Sequence, residues 1–421
     1  MNKDLGSTVL WFILVCLLLT LAGPVMDVNA QQLRIDEEKL AASIEKAFDR
    51  SDFNGYVIVS REGRELFSGG NGSIHEVSGT EPDENTVFGI ASITKSLTAT
   101  GISLLAQRGV IQFTDTIDKY LEKVPEDKQP ITIHQLLTHT SGIAGNVADD
   151  TEVLGKEEML NRIYHQKLLF PPGNRYAYSN SGYVLLAAIM DEVSDKGYAH
   201  FMQEEVFLPL GMTNTGYPGM SIFDRLHVTH GTYNGKDYGK LSDIPFSWNG
   251  LTGNGDVLST PNDMHAMLNN LTSGRLLTPE TLELMRTPHV SEDGGSPFYY
   301  GYGWVIDQNN THGKIISHNG GGLSGNHIIT YFEKYDLSIL VFSTRIEDRL
   351  LLNRFPYYVD YPADQLSEAI VSNILSGNYD QMPSKILPLW RGILIYVAVI
   401  VLAVIVGWFL VKLIKTMIGS R

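Results

Sequence analysis

The chain has 421 residues, of which 43% are hydrophobic, 10% aromatic and 19% charged, a composition that supplies a substantial core and excludes intrinsic disorder. A formal net charge of -15 with no long basic run excludes a surface built to grip nucleic acid phosphates. The single cysteine, Cys16, falls in an apolar leader, so a processed chain has no disulfide and no cysteine-held metal, and its stability must come from packing.

That leader opens with Lys3, runs apolar from 9 to 21 and ends in Val28-Asn29-Ala30, the pattern of a cleaved signal peptide over residues 1–30. A retained N-terminal anchor is the alternative, but an apolar run of about 13 residues falls short of the ~20 needed to span hydrocarbon. Residues 36–50 then place Leu40, Ile44 and Ala47 or Phe48 on one helical face. Two short strands, 56–60 and 65–68, flank Glu62-Gly63 as a hairpin. A strand at 87–90 leads into a helix at 97–107, and a proline and glycine loop from Phe170 leads into a helix at 184–193. Aromatic residues Tyr233, Tyr238, Phe246 and Trp248 precede Gly253-Asn254-Gly255-Asp256; walling a cleft and ordinary loop packing account for them equally well.

Further strands are expected at 302–305, 315–317, 328–332 and 337–343, followed by a helix at 364–375. The economical arrangement is an α+β fold in three layers, α/β/α. An antiparallel sheet built from both ends of the chain is flanked by helices, and a mainly helical region is inserted from about Ile90 to Met285. This domain occupies residues 31–375, with a proline- and glycine-containing linker at 376–391. Residues 392–411 are apolar and uncharged, and as a helix they reach roughly 30 Å, the thickness of a bilayer core. Trp390 and Trp408 near its ends, with Lys412, Lys415 and Arg421 in the tail 412–421, orient it as a single-pass C-terminal anchor in the cell membrane that holds the domain outside.

Chemistry enters at Ser92-Ile93-Thr94-Lys95, where a serine and a lysine three apart at a helix start share a face. The spacing alone is weak, since Ser43-Ile44-Glu45-Lys46 has it too. Ser92, unlike Ser43, follows a strand and sits near the positive end of a helix, where a nucleophile benefits. Lys95 can act as its base only if its pKa falls well below about 10.4. Tyr178-Ser179-Asn180 adds a phenol beside them and an amide able to hold the lysine amine and accept a substrate N–H. His318-Asn319-Gly320 and then Gly321 offer a strand edge on which substrate backbone can lie, and the N–H groups of Ser92 and Gly321 suit an oxyanion hole. A glycine-rich hairpin turn explains the last stretch as readily. His139 reads as a residue fixing a turn near the pocket, with a base as the alternative. No histidine or cysteine spacing that would assemble a metal site, and no cofactor motif, is present.

In the order Ser-x-x-Lys, Tyr-x-Asn, His-x-Gly, these motifs resemble the serine β-lactamase and penicillin-binding protein family, which includes class C β-lactamases, D-alanyl-D-alanine carboxypeptidases and related esterases. Leu136-Leu137-Thr138-His139-Thr140-Ser141-Gly142-Ile143, Pro209-Leu210-Gly211-Met212-Thr213-Asn214-Thr215 and Gly301-Tyr302-Gly303-Trp304 extend the resemblance over about residues 53–375. It implies Ser92 as acylated nucleophile, Lys95 and Tyr178 as proton shuttles, Asn180 as orienting amide, and His318, Asn319 and Gly320 along the substrate. His318 stands where many members have lysine, which points to amide or ester hydrolysis of a small molecule or cell-wall peptide rather than efficient β-lactamase action. The alternative is a sensor acylated once without turnover. Protonation of His318 near 6.5 is expected to favour carboxylate substrates at low pH.

Overall fold

The computed structural model describes residues 33–379 apart from 51–52, 76–78, 151, 234–235, 245–246, 309–310, 324 and 345–361. The leader, Phe246, most of the linker and the apolar segment 392–411 lie outside the described residues. Among the described residues, no helix is long and apolar enough to cross a membrane.

Helix α1 (Glu37–Arg50) has Glu37 and Glu38 at its positive end and buries Leu40, Ile44, Ala47 and Phe48 along one stripe. Strands β1 (Gly55–Arg61) and β2 (Arg64–Asn71) turn through Glu62 and Gly63, both at positive φ, the two-residue geometry that matches strand twist. After β3 (Phe88–Gly89) comes a largely helical stretch: α2 (Thr94–Gln107), α3 (Ile133–Leu137), α4 (Lys156–His165), α5 (Asn180–Val193) and α6 (Tyr198–Phe201). It is interrupted by a hairpin of β4 (His230–Tyr233) and β5 (Lys236–Lys240) and by β6 (Leu258–Ser259), then resumes with α7 (Pro261–Thr272) and α8 (Pro279–Met285). The chain closes with β7 (Val290–Ser291), β8 (Phe298–Tyr300), β9 (Val305–Asp307), β10 (Ile315–Gly322), β11 (Gly325–Phe332), β12 (Leu337–Ser343) and α9 (Pro362–Ser376).

Eight of these strands form one antiparallel sheet in the order β2-β1-β12-β11-β10-β9-β8-β7. The pairing of β1 with β12, from Gly55 opposite Ser343 to Arg61 opposite Leu337, brings the two ends of the domain together in the sheet. Side chains on these strands alternate between two cores because the pleat has a period of two. Val57, Val59, Ile339 and Val341 join Leu40 and Ile44 of α1 and Ile370 and Ile374 of α9 in one core. Ile58, Leu340 and Phe342 face the other way, into the core made with α2 and α5. With roughly 1.5–3 kcal/mol available from each buried aliphatic side chain, two covered faces make the sheet centre the hardest part to open. The three-layer α+β arrangement expected from the sequence is therefore present.

Helix α2 is the spine of the helical region. Every residue from Thr94 to Leu105 is buried, so it behaves as a core helix covered all round rather than an amphipathic surface helix. One expectation fails beside it: residues 302–304 are a turn, and only Val305–Asp307 is strand. The cause is close packing. Gly303 has φ +72°, and a methyl group there would sit 2.6 Å from the Lys95 carbonyl oxygen, so the chain bends against α2 instead of extending.

Candidate active site

The turn that carries Ser92 is strained and clamped. Ala91 sits at φ +47°, a left-handed conformation costly for a residue with a Cβ, and Ala91–Ile93 form a single 3-10 turn ahead of α2. The Ile90 N–H donates to the Val257 carbonyl at 3.1 Å, and β3 pairs with β6, so the residues before Ser92 are fixed from the far side. From the other side, β10 presses in. A methyl group on Gly320 would lie 2.3 Å from the Ile90 carbonyl oxygen, which explains why glycine stands there. Beyond Ser317, β10 has no pairing with β9 among the described residues, so residues 318–322 present a free strand edge beside Ser92.

Lys95 is fully buried one helical turn on. Its Nζ donates to Ser92 Oγ at 3.1 Å and to the Asn254 carbonyl at 3.0 Å. Burial drives its pKa well below the ordinary value, against the weaker pull of Asp150 and Asp256. The Nζ also lies 4.8 Å from the Tyr178 ring centre and 5.7 Å from that of Tyr183. An amine kept neutral at this distance can accept a proton from a hydroxyl.

Tyr178 reaches the same hydroxyl from the loop before α5. Desolvation raises its phenol above the ordinary value, and its hydrogen bond with Ser92 draws it back down. The loop is pinned by His139: the Ala177 N–H donates to the His139 carbonyl at 2.9 Å and the Ser179 N–H to His139 Nδ1 at 3.1 Å. Ser179 then caps α5 by accepting the Gly182 N–H at 3.0 Å. His139, buried and at φ +57°, thus fixes the turn, as the sequence suggested. Its ring centre lies 4.3 Å from that of Tyr178 and 4.5 Å from that of Tyr300, tilted against both.

Asn180 departs from expectation in part. Its Nδ2 donates to Asn146 Oδ1 at 2.8 Å, and its Oδ1 is buried with no partner among the described residues, leaving an acceptor turned toward neither the lysine amine nor any other described donor. The acceptor that does hold Lys95 is the backbone oxygen of Asn254, which sequence reasoning missed because any residue type can offer a carbonyl.

The third motif departs further. His318 is buried; its Nδ1 donates to the Asn319 carbonyl at 2.6 Å and its Nε2 accepts the Tyr300 hydroxyl at 3.0 Å. Burial and the neighbouring Lys95 push its pKa down to about 3, so the expected protonation near 6.5 is overturned: the ring stays neutral through the physiological range. Asn319 alternates to the opposite face of β10, where its side chain hydrogen-bonds Asp364 on α9, away from Ser92. Its amide is therefore not available to a substrate lying against Ser92. Gly320 and Gly321 remain on the free edge.

Acidic groups surround the pocket. Tyr176 donates to Glu292 Oε1 at 3.2 Å, and burial raises the pKa of both Glu292 and Asp150. Asp256, beneath Lys95, is pushed up to about 7 by burial, against backbone hydrogen bonds from Gly253 and Asp256 itself and the Tyr198 hydroxyl at 3.3 Å from its Oδ1. Lys95 is thus hemmed by carboxyls and aromatic rings.

The family model described as Beta-lactamase matches residues 41–354. The chain is 28% identical over 364 residues to penicillin-binding protein 4* of Bacillus subtilis (strain 168), spanning 79% of this chain and 80% of that protein. Among solved structures, the octameric penicillin-binding protein homologue from Pyrococcus abyssi matches with a TM-score of 0.68 at 24% identity, over 82% of this chain and 79% of that one. The D-amino acid amidase from Ochrobactrum anthropi SV3 matches with a TM-score of 0.63 at 21% identity, over 82% of this chain and 99% of that one. At such identities the structural matches speak for the fold.

Proposed function

The chain belongs to the Beta-lactamase family and is an enzyme of the serine hydrolase type, and from that premise we propose that it cleaves an amide or ester bond through an acyl-enzyme on Ser92. The observation that carries this reading is the buried, pKa-depressed Lys95 amine 3.1 Å from Ser92 Oγ. Lys95 takes the hydroxyl proton as Ser92 attacks the acyl carbon, and Tyr178 relays that proton to the leaving group. The N–H groups of Ser92 and Gly321 receive the developing oxyanion, and water then releases the acid. Asn180 Oδ1, which has no described partner, accepts a substrate N–H.

A neutral His318 offers no cation to a substrate carboxylate, which supports a D-amino acid amide, peptide or ester over an efficiently hydrolysed β-lactam. The anchor at 392–411 and the leader at 1–30 remain part of the proposal on sequence grounds and place this chemistry outside the cell membrane. Incubation with a chromogenic acyl ester tests the chemistry. Steady turnover abolished in Ser92→Ala supports it, while one equivalent of product and a stable adduct would instead make the protein a sensor acylated once.

A further inference from the structure

We propose that His75, His230 and Asp237 form a binding site for a divalent transition metal ion, Zn(II) by the chemistry of the donors, that clips the β4–β5 hairpin to the segment following β2. The three side chains come from distant parts of the chain. His75 lies just beyond β2, His230 opens β4, and Asp237 lies on β5 beside a register shift in the hairpin. Their ligand atoms all lie within 4.8 Å of one another.

Two of the three edges already have metal-site dimensions. His75 Nε2 is 3.2 Å from Asp237 Oδ2, and His230 Nδ1 is 3.1 Å from Oδ1 and 3.2 Å from Oδ2. A tetrahedral zinc with bonds of ~2.0–2.1 Å has ligand-to-ligand edges of about 3.3 Å. The two imidazole ring centres lie 3.9 Å apart with a 32° tilt, and each ring presents a nitrogen to the same carboxylate. Two imidazoles and a carboxylate suit zinc and leave one position for water or an exogenous ligand. The Gly239 N–H donates to Asp237 Oδ1 at 2.7 Å, which orients the carboxylate as outer hydrogen bonds do in metal sites.

The position gives the ion something to hold. Thr229, next to His230, donates its N–H to the Val87 carbonyl at 2.9 Å, four residues before Ala91. Gly231 packs against Leu323 at the turn between β10 and β11, just past the Gly320–Gly322 edge: a methyl group on it would lie 3.6 Å from Leu323 Cβ. An ion at the three ligands ties the hairpin down on that rim. The site stands apart from the acyl-enzyme reading, because none of its ligands touches Ser92, Lys95 or Tyr178 in the interactions described above.

The test uses the full chain, stripped with a chelator and titrated with Zn(II) in a calorimeter, with retained metal counted after gel filtration. About one equivalent is expected in the wild type and in Ser92→Ala. Each of His75→Gln, His230→Gln and Asp237→Asn is expected to lower affinity at least ~10-fold. Near-UV circular dichroism of each variant separates ligand loss from unfolding, and Co(II) supplies a second readout through the visible band of a tetrahedral nitrogen and oxygen site. Failure of the wild type to bind, or binding and cobalt spectra unchanged in the three variants, overturns the site; loss of ester turnover in Ser92→Ala bears only on the catalytic proposal.

Discussion

The Tyr300 hydroxyl donates to His318 Nε2 at 3.0 Å, and this one bond turns the third motif from a charge into a wall. With Nδ1 given to the Asn319 carbonyl, neither ring nitrogen is left for a substrate.

The first prediction follows from that neutrality. KM for a carboxylate-bearing substrate should stay flat between pH 7 and 5, because a pKa of about 3 keeps His318 uncharged throughout. His318→Lys puts an amine at this position and should increase the rate of penicillin acylation, read by labelling with a fluorescent penicillin; an unchanged rate would assign carboxylate recognition to other residues.

Sequence pattern made the inner strands β1 and β12 and both flanking helices legible, because Val57, Val59, Ile339 and Val341 alternate with residues of the opposite face over five or more positions. Strands β7 and β8, two and three residues long, carry no such period and were not foreseen. Ser92, Lys95 and Tyr178 could be singled out by type and spacing, and the fold brings them together. Tyr300 and the Asn254 carbonyl could not: one reaches the pocket through sheet order, the other through backbone. The His75, His230 and Asp237 cluster was equally invisible, since 155 residues separate its two histidines.

Opposed pH dependences should appear in stability. His318 and His327 are buried and held near 3, so the unfolded chain binds protons more readily below its ordinary 6.5. Stability is then full above about 6.5 and falls as pH drops toward 3, with a slope on the order of 1 kcal/mol per pH unit for each histidine. Asp256 has the reverse sign: raised to about 7, it contributes stability below its ordinary 3.8 that is lost as pH rises through 7. Asp256→Asn should therefore gain on the wild type by about 2.5 kcal/mol between pH 5 and 8. Urea unfolding at the two pH values measures this; a variant equally affected at both would show that the carboxyl is ionised in the folded chain.

Backbone proximity at the strand edge gives a third prediction. In Gly320→Ala the new methyl meets the Ile90 carbonyl oxygen at 2.3 Å, so either β10 or the strained Ala91 turn must move. A shift of even 1 Å separates the oxyanion donors from the Ser92 hydroxyl, and ester turnover should fall by about 10²-fold. The urea midpoint should change much less than in a sheet-core variant such as Ile339→Ala, which is expected to lose about 2–5 kcal/mol. Full turnover in Gly320→Ala would mean that the edge plays no part in the reaction.

Lys95 provides the sharpest chemical test because its burial has an unambiguous sign. Desolvation disfavours the ammonium, so the folded pKa lies well below 10.5 and kcat/KM should decline on the acid side as the amine gains a proton. Lys95→Arg installs a group that cannot deprotonate and should lose about 10²–10⁴ in kcat/KM, the usual worth of a positioned general base. Asp256→Asn removes a carboxyl that favours the ammonium, so in that variant the acid limb should move to lower pH. Parallel profiles for wild type and Asp256→Asn would assign the acid limb to a group other than Lys95.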